Sequence, residues 1–160
     1  MSANFSECGM YRYRLDRQIG ASLKTVAFIG INPSIANDVD NDRTVNRMLE
    51  FAKENGAGKV IVANVFSLVS TDINGLRTDI PLRGSEHDFH FQQIISEADI
   101  LVPCWGSRGK LRASNRPFLD ELTSVYWEAS SLLWENKIGG GPITPTKTSI
   151  RYTAKGVVIG

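Results

Sequence analysis

The chain has 160 residues, of which 42% are hydrophobic and 22% are charged, with a formal net charge of +1. These values are typical of one globular domain, predicted here over residues 1–160, and they give no overall charge that would indicate nucleic-acid binding. No segment approaches the roughly 20 apolar residues of a membrane span, and the first residues lack the apolar block of a signal peptide. We therefore expect a cytoplasmic protein with no membrane partner.

Strands and helices are predicted to alternate along the chain. The alternation of basic with aromatic or apolar residues at 11–17 predicts an edge strand. Apolar runs rich in β-formers predict strands at 25–31, 59–66 and 99–105, and a fourth at 130–134. Apolar residues at helical spacing predict helices at 42–55, around 91–98 and at 115–125. This order predicts an α/β fold, a three-layer sandwich around a central, mainly parallel sheet of four strands.

The cysteines and histidines do not form a ligand set of recognised spacing. Cys8 and Cys104 are too far apart in sequence to suggest a disulfide framework, so reduced thiols are expected. His87 and His90 have no third ligand in view, which favours surface residues of a helix over metal ligands. We expect neither a metal site nor a cofactor.

Candidate pocket residues stand at the ends of three predicted strands. They are Ile31, Asn32, Pro33 and Ser34 at the first strand, Asn64 and Phe66 at the second, and Trp105, Gly106 and Ser107 at the third. Because ligands of open parallel sheets sit at the carboxyl ends of the strands, these residues are predicted to line one pocket. Amides beside aromatic surface suit recognition of a planar heterocycle.

A run of cations without acids follows the third strand and contains Arg108, Lys110, Arg112 and Arg116. Such runs are typical of a solvated surface, and they become phosphate contacts when they border a site. The sequence leaves both interpretations open.

Several ordered motifs carry a resemblance to known families. The segments FSECGMYRYRLDR, INPSIANDVDNDRTVNR, VIVANVFSLVSTD and CWGSRG together resemble an uncharacterised family of bacterial and phage proteins, classed only as a domain of unknown function. The same strand ends resemble the uracil-DNA glycosylase superfamily. Its first motif is similar to Gly30-Ile31-Asn32-Pro33, its second to VIVAN ending at Asn64, and its third strand also runs into Trp-Gly-Ser.

The glycosylase resemblance implies a uracil-DNA-glycosylase-like fold with a pocket for a base extruded from DNA or carried by a nucleotide. Asn64 would read an imide edge of the base, and Asn32 would orient a water toward the sugar C1′. Arg108, Lys110 and Arg112 would contact phosphates. Phe66 or Phe28 would be the stacking partner of the base.

Asp40 and Asp42 match an acidic pattern of the uncharacterised family that also includes Thr44 and Arg47. One interpretation is a helix cap with an internal ion pair. The other is a pair of catalytic acids poised over the site near Asn32, which would compensate for the weak basicity of an amide.

The last motif of the glycosylase superfamily is a His-Pro or its equivalent, whose histidine helps to stabilise the leaving base, and the uncharacterised family has a comparable Gly-His-Pro-x-His-Pro pattern. The comparable segment here is Gly140-Gly141-Pro142-Ile143-Thr144-Pro145, so Gly141 and Thr144 stand where histidines are expected. Loss of a charge-stabilising donor costs on the order of 10² to 10³ in rate.

Three hypotheses follow from these residues. The first is a nucleobase-recognising hydrolase of N-glycosidic bonds, with Asn32, Asp40 and Asp42 as candidate catalytic residues and Thr144 as part of the pocket. The second is a catalytically inactive protein that binds a nucleotide or nucleic acid in the same pocket. The third is hydrolysis of a different nucleotide-like substrate by Asp40 or Asp42.

Overall fold

A mixed five-stranded sheet with two helices forms the body of the protein. The computed structural model describes residues 1–76, 78–105, 112–117, 119–120, 150–153 and 156–159. The strands β1 (Ser2–Phe5), β2 (Arg12–Gln18), β3 (Thr25–Gly30), β4 (Lys59–Asn64) and β5 (Ile100–Pro103) lie in the order β1-β2-β4-β3-β5. The helices are α1 (Arg43–Glu54) and α2 (His87–Glu97). Two 3₁₀ turns, Ile73–Leu76 and Ala113–Asn115, and an antiparallel pair, β6 (Ile150–Thr153) and β7 (Gly156–Ile159), complete the elements described.

The α/β class is confirmed, but the sheet is not the mainly parallel sheet that the sequence predicts. The predicted strands at 25–31, 59–66 and 99–105 correspond to β3, β4 and β5, which are mutually parallel. The predicted edge strand at 11–17 is β2, which lies second from the edge because β1 pairs with it, and both of its pairings are antiparallel. The fourth strand predicted at 130–134 lies outside the described residues.

Alternate residues of the central strands face the two helices. On one face, Val60, Val62 and Phe28 pack with α1 in one apolar cluster; on the other face, Ile61 and Ala63 pack with α2 in a second. The helices lie on opposite faces because α1 leads from β3 to β4, whereas α2 leads from β4 back past β3 to β5. The strand order therefore reverses between β3 and β5, and the crevice where open α/β sheets bind ligands lies between the carboxyl ends of these two strands. Among the described residues, no helix is long and apolar enough to cross a membrane.

A bulge in β2 places two arginines on the α1 side of the sheet. Asn4 pairs with Arg14 and the next residue, Phe5, pairs with Arg12, so Tyr13 is an extra residue in β2. Without it, Arg12 and Arg17 would point to opposite faces, since side chains alternate along a regular strand. With it, both side chains reach the segment that joins β3 to α1.

A cluster of charges anchors the end of α2 to the sheet. The Arg14 guanidinium donates to both carboxylate oxygens of Glu97, at 2.9 and 2.6 Å, and to both of Asp16, at 2.7 and 2.8 Å. The Lys59 ammonium lies 3.3 Å from Asp16 and 3.5 Å from Glu97. These hydrogen bonds, chiefly those from Arg14, lower the pKa of Glu97 from its ordinary 4.5 to about 2.

Gly58 is predicted to tolerate no side chain. A β-carbon there would lie 1.7 Å from the carbonyl oxygen of Ser22, which is main chain and cannot rotate away. We expect Gly58→Ala to lower the free energy of unfolding by about 1–3 kcal/mol in urea denaturation, because the backbone must shift. Gly20→Ala is the matched control, since a β-carbon there would meet nothing closer than 3.7 Å. Equal stability of the two variants would contradict the packing described.

The contribution of Glu97 to stability is predicted to depend on pH. Since its pKa is lowered in the folded protein, the contribution is complete above pH 4.5 and is lost as pH falls toward about 2. The stability gap between the wild type and Glu97→Gln, measured by urea unfolding, should therefore close over that range. Asn46→Ala, at an exposed asparagine of α1, is the control, because it removes no titratable group. A gap that stays constant down to pH 2 would exclude this role of Glu97.

Candidate functional site

Main-chain hydrogen bonds connect the segments that follow β3 and β4, beyond the last residues of the two strands. Gly30 pairs with Asn64, and beyond that pair the Val65 and Phe66 amides each donate at 2.9 Å, to the carbonyls of Gly30 and Ile31. Farther along, the Ser70 amide donates to the Pro33 carbonyl at 2.9 Å. The two loops thus leave the sheet together and form one fixed edge.

Asn32 holds these two loops together through its side-chain nitrogen. Its Nδ2 donates to the Ser70 carbonyl at 2.8 Å and to the Pro33 carbonyl at 3.1 Å. Both donors of the amide are therefore engaged, which fixes its plane. Among the described residues, no donor is hydrogen-bonded to the remaining oxygen, Oδ1, so the side chain retains one acceptor.

Asn64 lies over Gly30 on the α1 side of the sheet. Its side chain is on the same face of the sheet as those of Val60 and Val62, because alternate residues of a strand share a face. Only 6% of the residue is exposed. A β-carbon at position 30 would lie 2.7 Å from Asn64 Oδ1, so the glycine provides the space that the amide occupies. Within the described part of the chain, the Asn64 side chain has no hydrogen-bond partner. Its amide atoms are not among the solvent-excluded unpaired atoms of the described residues, so water or a ligand can reach and hydrogen-bond them.

The segment between β3 and α1 is fastened by the two arginines of β2. Arg12 Nη1 donates to the Ala36 carbonyl at 2.5 Å, while Arg17 Nη2 donates to the Asn37 carbonyl and Arg17 Nε donates to Asn41 Oδ1 at 2.7 Å. Arg12 and Arg17 are only 3% and 1% exposed. Burial lowers the pKa of Arg12 to about 10, so the group remains charged at neutral pH.

Asp42 forms the helix cap that one interpretation of the sequence anticipates. Its Oδ1 accepts a hydrogen bond from the Val45 amide at 2.8 Å, at the first turn of α1. Asp40 is exposed, and its main-chain carbonyl accepts from the Asn37 amide at 3.0 Å. Neither carboxylate is hydrogen-bonded to Asn32. The ion pair of this segment joins Arg47 to Glu50 at 3.8 Å rather than to either aspartate.

The aromatic residues predicted for the pocket belong to the two apolar clusters. Phe66 and Trp105 are 3% and 8% exposed in the cluster on the α2 side, against which Ile31 also packs. Phe28 lies in the α1 cluster, with its ring edge-on to Phe51 at 6.0 Å. Neither Phe66 nor Phe28 therefore offers an open ring face beside Asn64, which lies on the α1 side.

The remaining predicted residues divide between the loop, the surface and the part of the chain outside the described residues. Pro33 is buried and Ser34 half-buried in the segment after β3. Arg112 is exposed and lies 3.6 Å from Asp79. The predicted residues that lie outside the described residues are Gly106, Ser107, Arg108, Lys110 and Thr144.

The expectation that both histidines lie on the surface is wrong. His87 is 5% exposed, its ring stacks on Phe91 at 5.3 Å, and burial lowers its pKa to about 4. The ring of His90 stacks on Tyr13 at 5.1 Å. Both rings are packed because the first turn of α2 lies against β2 and its neighbouring loops.

The chain belongs to a family described as protein of unknown function (DUF1643), whose model matches residues 12–137. The expectation of a family of unknown function is confirmed by this match. No curated protein and no solved structure matches the chain.

Removal of the buried Arg17 is predicted to lower the free energy of unfolding more than removal of an exposed arginine does. Arg17→Leu leaves the Asn37 carbonyl and the Asn41 amide oxygen without their donors, which should cost about 2–4 kcal/mol in urea unfolding. Arg47→Leu is the control, because the Arg47 side chain is 72% exposed and its loss should cost less than about 0.5 kcal/mol. Similar effects of the two substitutions would show that Arg17 does not hold the segment.

Proposed function

We propose that this member of the DUF1643 family is a nucleobase-recognising hydrolase that cleaves an N-glycosidic bond in DNA or in a nucleotide. The base would bind at the carboxyl ends of β3 and β4, in a fold whose finer arrangement is the three-layer one of uracil-DNA glycosylases. The observation that carries the proposal is Asn64, an amide only 6% exposed, placed over Gly30 at the carboxyl ends of two central parallel strands. Every other element of the proposal is built around this residue.

Recognition of the base would use both ends of the Asn64 amide. Nδ2 donates and Oδ1 accepts, which complements an edge that presents one acceptor beside one donor, as the imide of uracil does. The Gly30 backbone allows the amide to lie close to the sheet without a competing side chain. A base bound here would supply the partner that the described residues do not.

Catalysis would depend on Asn32 as a fixed acceptor for water. Because two carbonyls hold Nδ2, Oδ1 can orient a water toward C1′ of the sugar. The C1′–N bond breaks with its electron pair leaving on the base, the water oxygen bonds to C1′, and solvent takes up one proton and returns one to the base. An amide is a weak base, so positioning and electrostatic stabilisation must provide most of the acceleration.

The buried charge of Arg12 supports the electrostatic part of this mechanism. Arg12 lies on the same side of the sheet as Asn64 and is only 3% exposed, and the carboxylate that interacts with it electrostatically is that of Asp42. A cation in such an environment is poorly screened by solvent and favours negative charge nearby. It would thus assist a base that leaves as an anion, in a chain where Gly141 and Thr144 replace the expected histidines.

Binding without cleavage is the second candidate function. It is favoured by the engagement of both donors of Asn32 and by the use of Asp42 as a helix cap. In this case Asn64 would still recognise the base, while no group would activate water. The two functions share a pocket and differ only in turnover.

Release of free base from modified oligonucleotides separates the two functions. We expect mass spectrometry to detect base released from duplexes that carry uracil, hypoxanthine, mismatched or phage-modified bases, or from free nucleotides. Asn32→Ala and Asn64→Ala should each reduce release by about 10²-fold. Asn46→Ala, at an exposed asparagine of α1, should leave it unchanged.

The alternative outcomes are equally specific. If no base is released and oligonucleotide binding is weakened by Asn64→Ala but not by Asn46→Ala, the protein is the binder. If there is neither release nor binding that depends on Asn64, both functions are excluded. Circular dichroism of Asn32→Ala distinguishes lost chemistry from a misfolded loop.

A further inference from the structure

Cys104 lies in line with Asn64 and Gly30 across the carboxyl ends of three parallel strands. β3 pairs with β5 up to Ile29 and Pro103, and the Cys104 amide then donates to the Ile29 carbonyl at 2.7 Å. The next residues of the two strands, Gly30 and Cys104, are therefore side by side. Because Gly30 pairs with Asn64 on its other side, the three residues form one row across β5, β3 and β4.

The side chains at both ends of this row face α1. Cys104 packs against the α1-side apolar cluster, which also contains Val102, two residues earlier in the chain. Since residues two apart on a strand share a face, Cys104 is on the same face of the sheet as Asn64. The row also spans the carboxyl ends of β3 and β5, between which the strand order reverses and open α/β sheets bind ligands.

Gly30 leaves a gap in the middle of the row. The three atoms nearest to a β-carbon at position 30 would be Asn64 Oδ1 at 2.7 Å, Asn64 Cγ at 3.8 Å and the Ala63 carbonyl oxygen at 3.9 Å. All three atoms belong to β4, so no atom of Cys104 lies closer than 3.9 Å to that position. The Asn64 amide therefore enters the gap from one side, and the side toward Cys104 is free of close contacts.

An apolar row borders the gap on the side of the strand amino ends. Two residues before Gly30, Phe28 pairs with Val62 on one side and with Val102 on the other, and all three residues are buried. A ligand over Gly30 would thus rest against an apolar layer and would approach from the carboxyl ends of the strands.

The two ends of the row differ in chemistry. Cys104 is partly exposed, and burial raises the pKa of its thiol to about 12, so the group is neutral at neutral pH. A neutral thiol is a weak donor and packs like a small hydrophobic group. Asn64 is only 6% exposed and has no hydrogen-bond partner within the described part of the chain. The row therefore presents an amide with a free donor and acceptor at one end and an uncharged wall at the other.

We propose that Cys104 is a second residue in contact with the bound base, which hydrogen-bonds to Asn64 and packs against the Cys104 side chain across Gly30. This inference rests on the proposed function, since it assigns a further residue to the same site. Cys104 would act as a specificity residue, because a charged group placed against its neutral thiol would lose hydration without gaining a partner. The site would accept a base whose edge toward β5 is uncharged.

Intermolecular nuclear Overhauser effects (NOEs) test the contact in the unaltered protein. The protein is labelled with ¹³C at cysteine and saturated with the free base that shifts the Asn64 Nδ2 signals. We expect NOEs from base protons to the β-protons of Cys104. The exposed Cys8 is the internal control and should give none.

Substitution of the same residue tests its role in affinity. Cys104→Leu should weaken binding of that base at least about fivefold, because a larger side chain overfills the contact. Cys104→Ser, which is close in size to the natural residue, should retain most of the affinity. Cys8→Leu makes the larger substitution at an exposed cysteine and should leave affinity unchanged.

The outcomes separate this inference from the proposed function. If a base shifts the Asn64 signals but gives no NOE to Cys104, or if Cys104→Leu folds and binds that base as tightly as the wild type, the inference fails and the proposed function stands. If no base shifts the Asn64 signals, both fail. If Cys104→Leu does not fold, the NOE measurement on the wild type decides.

Discussion

Two guanidinium groups buried beneath main-chain carbonyls hold the segment on which the candidate site depends. Arg12 and Arg17 donate to the chain between β3 and α1, and the bulge at Tyr13 is what brings both to the same face. The carbonyls that accept from Arg17 offset the cost of burying that cation. Arg12, in contrast, donates to the Ala36 carbonyl and interacts with the Asp42 carboxylate, while its Nε has no partner among the described residues. The segment then delivers Asp42 to its position as the cap of α1, and α1 covers the sheet face on which Asn64 lies.

The edge of the sheet itself is assembled from complementary small and polar residues. Gly30 leaves the space that the Asn64 amide fills, and Asn32 joins the loops that follow β3 and β4. These contacts fix two amides at the carboxyl ends of β3 and β4. The amides of Asn32 and Asn64 are weak acids and bases, so they can contribute to recognition and rate mainly through fixed positions. The proposed chemistry therefore requires the rigid edge that these contacts form.

The sequence predicts the parts of this fold whose pattern is local. The parallel strands are recognisable because strands buried on both faces are apolar throughout, and Asp42 is recognisable as a cap from its place before the one-faced α1 helix. β1 has no such signal, since it is short and mostly exposed. The sequence does not predict the burial of Arg12 and Arg17 either. In a strand that alternates basic with apolar residues, the basic residues are expected to face solvent, and the sequence pattern does not reveal the β-bulge that changes this. The sequence shows Asn64 at the end of a strand, whereas its contact with Gly30 depends on the register between two strands.

We propose Asn64 as the partner of a bound base, and its own side-chain amide reports such binding most directly. The ¹⁵N–¹H signals of Asn64 Nδ2, assigned with Asn64→Ala, are followed by NMR while free uracil and then other free bases are added. If the claim is right, these signals shift in a saturable manner with one of the bases, while those of the exposed Asn46 stay in place. If they do not move with any base, Asn64 does not recognise a nucleobase.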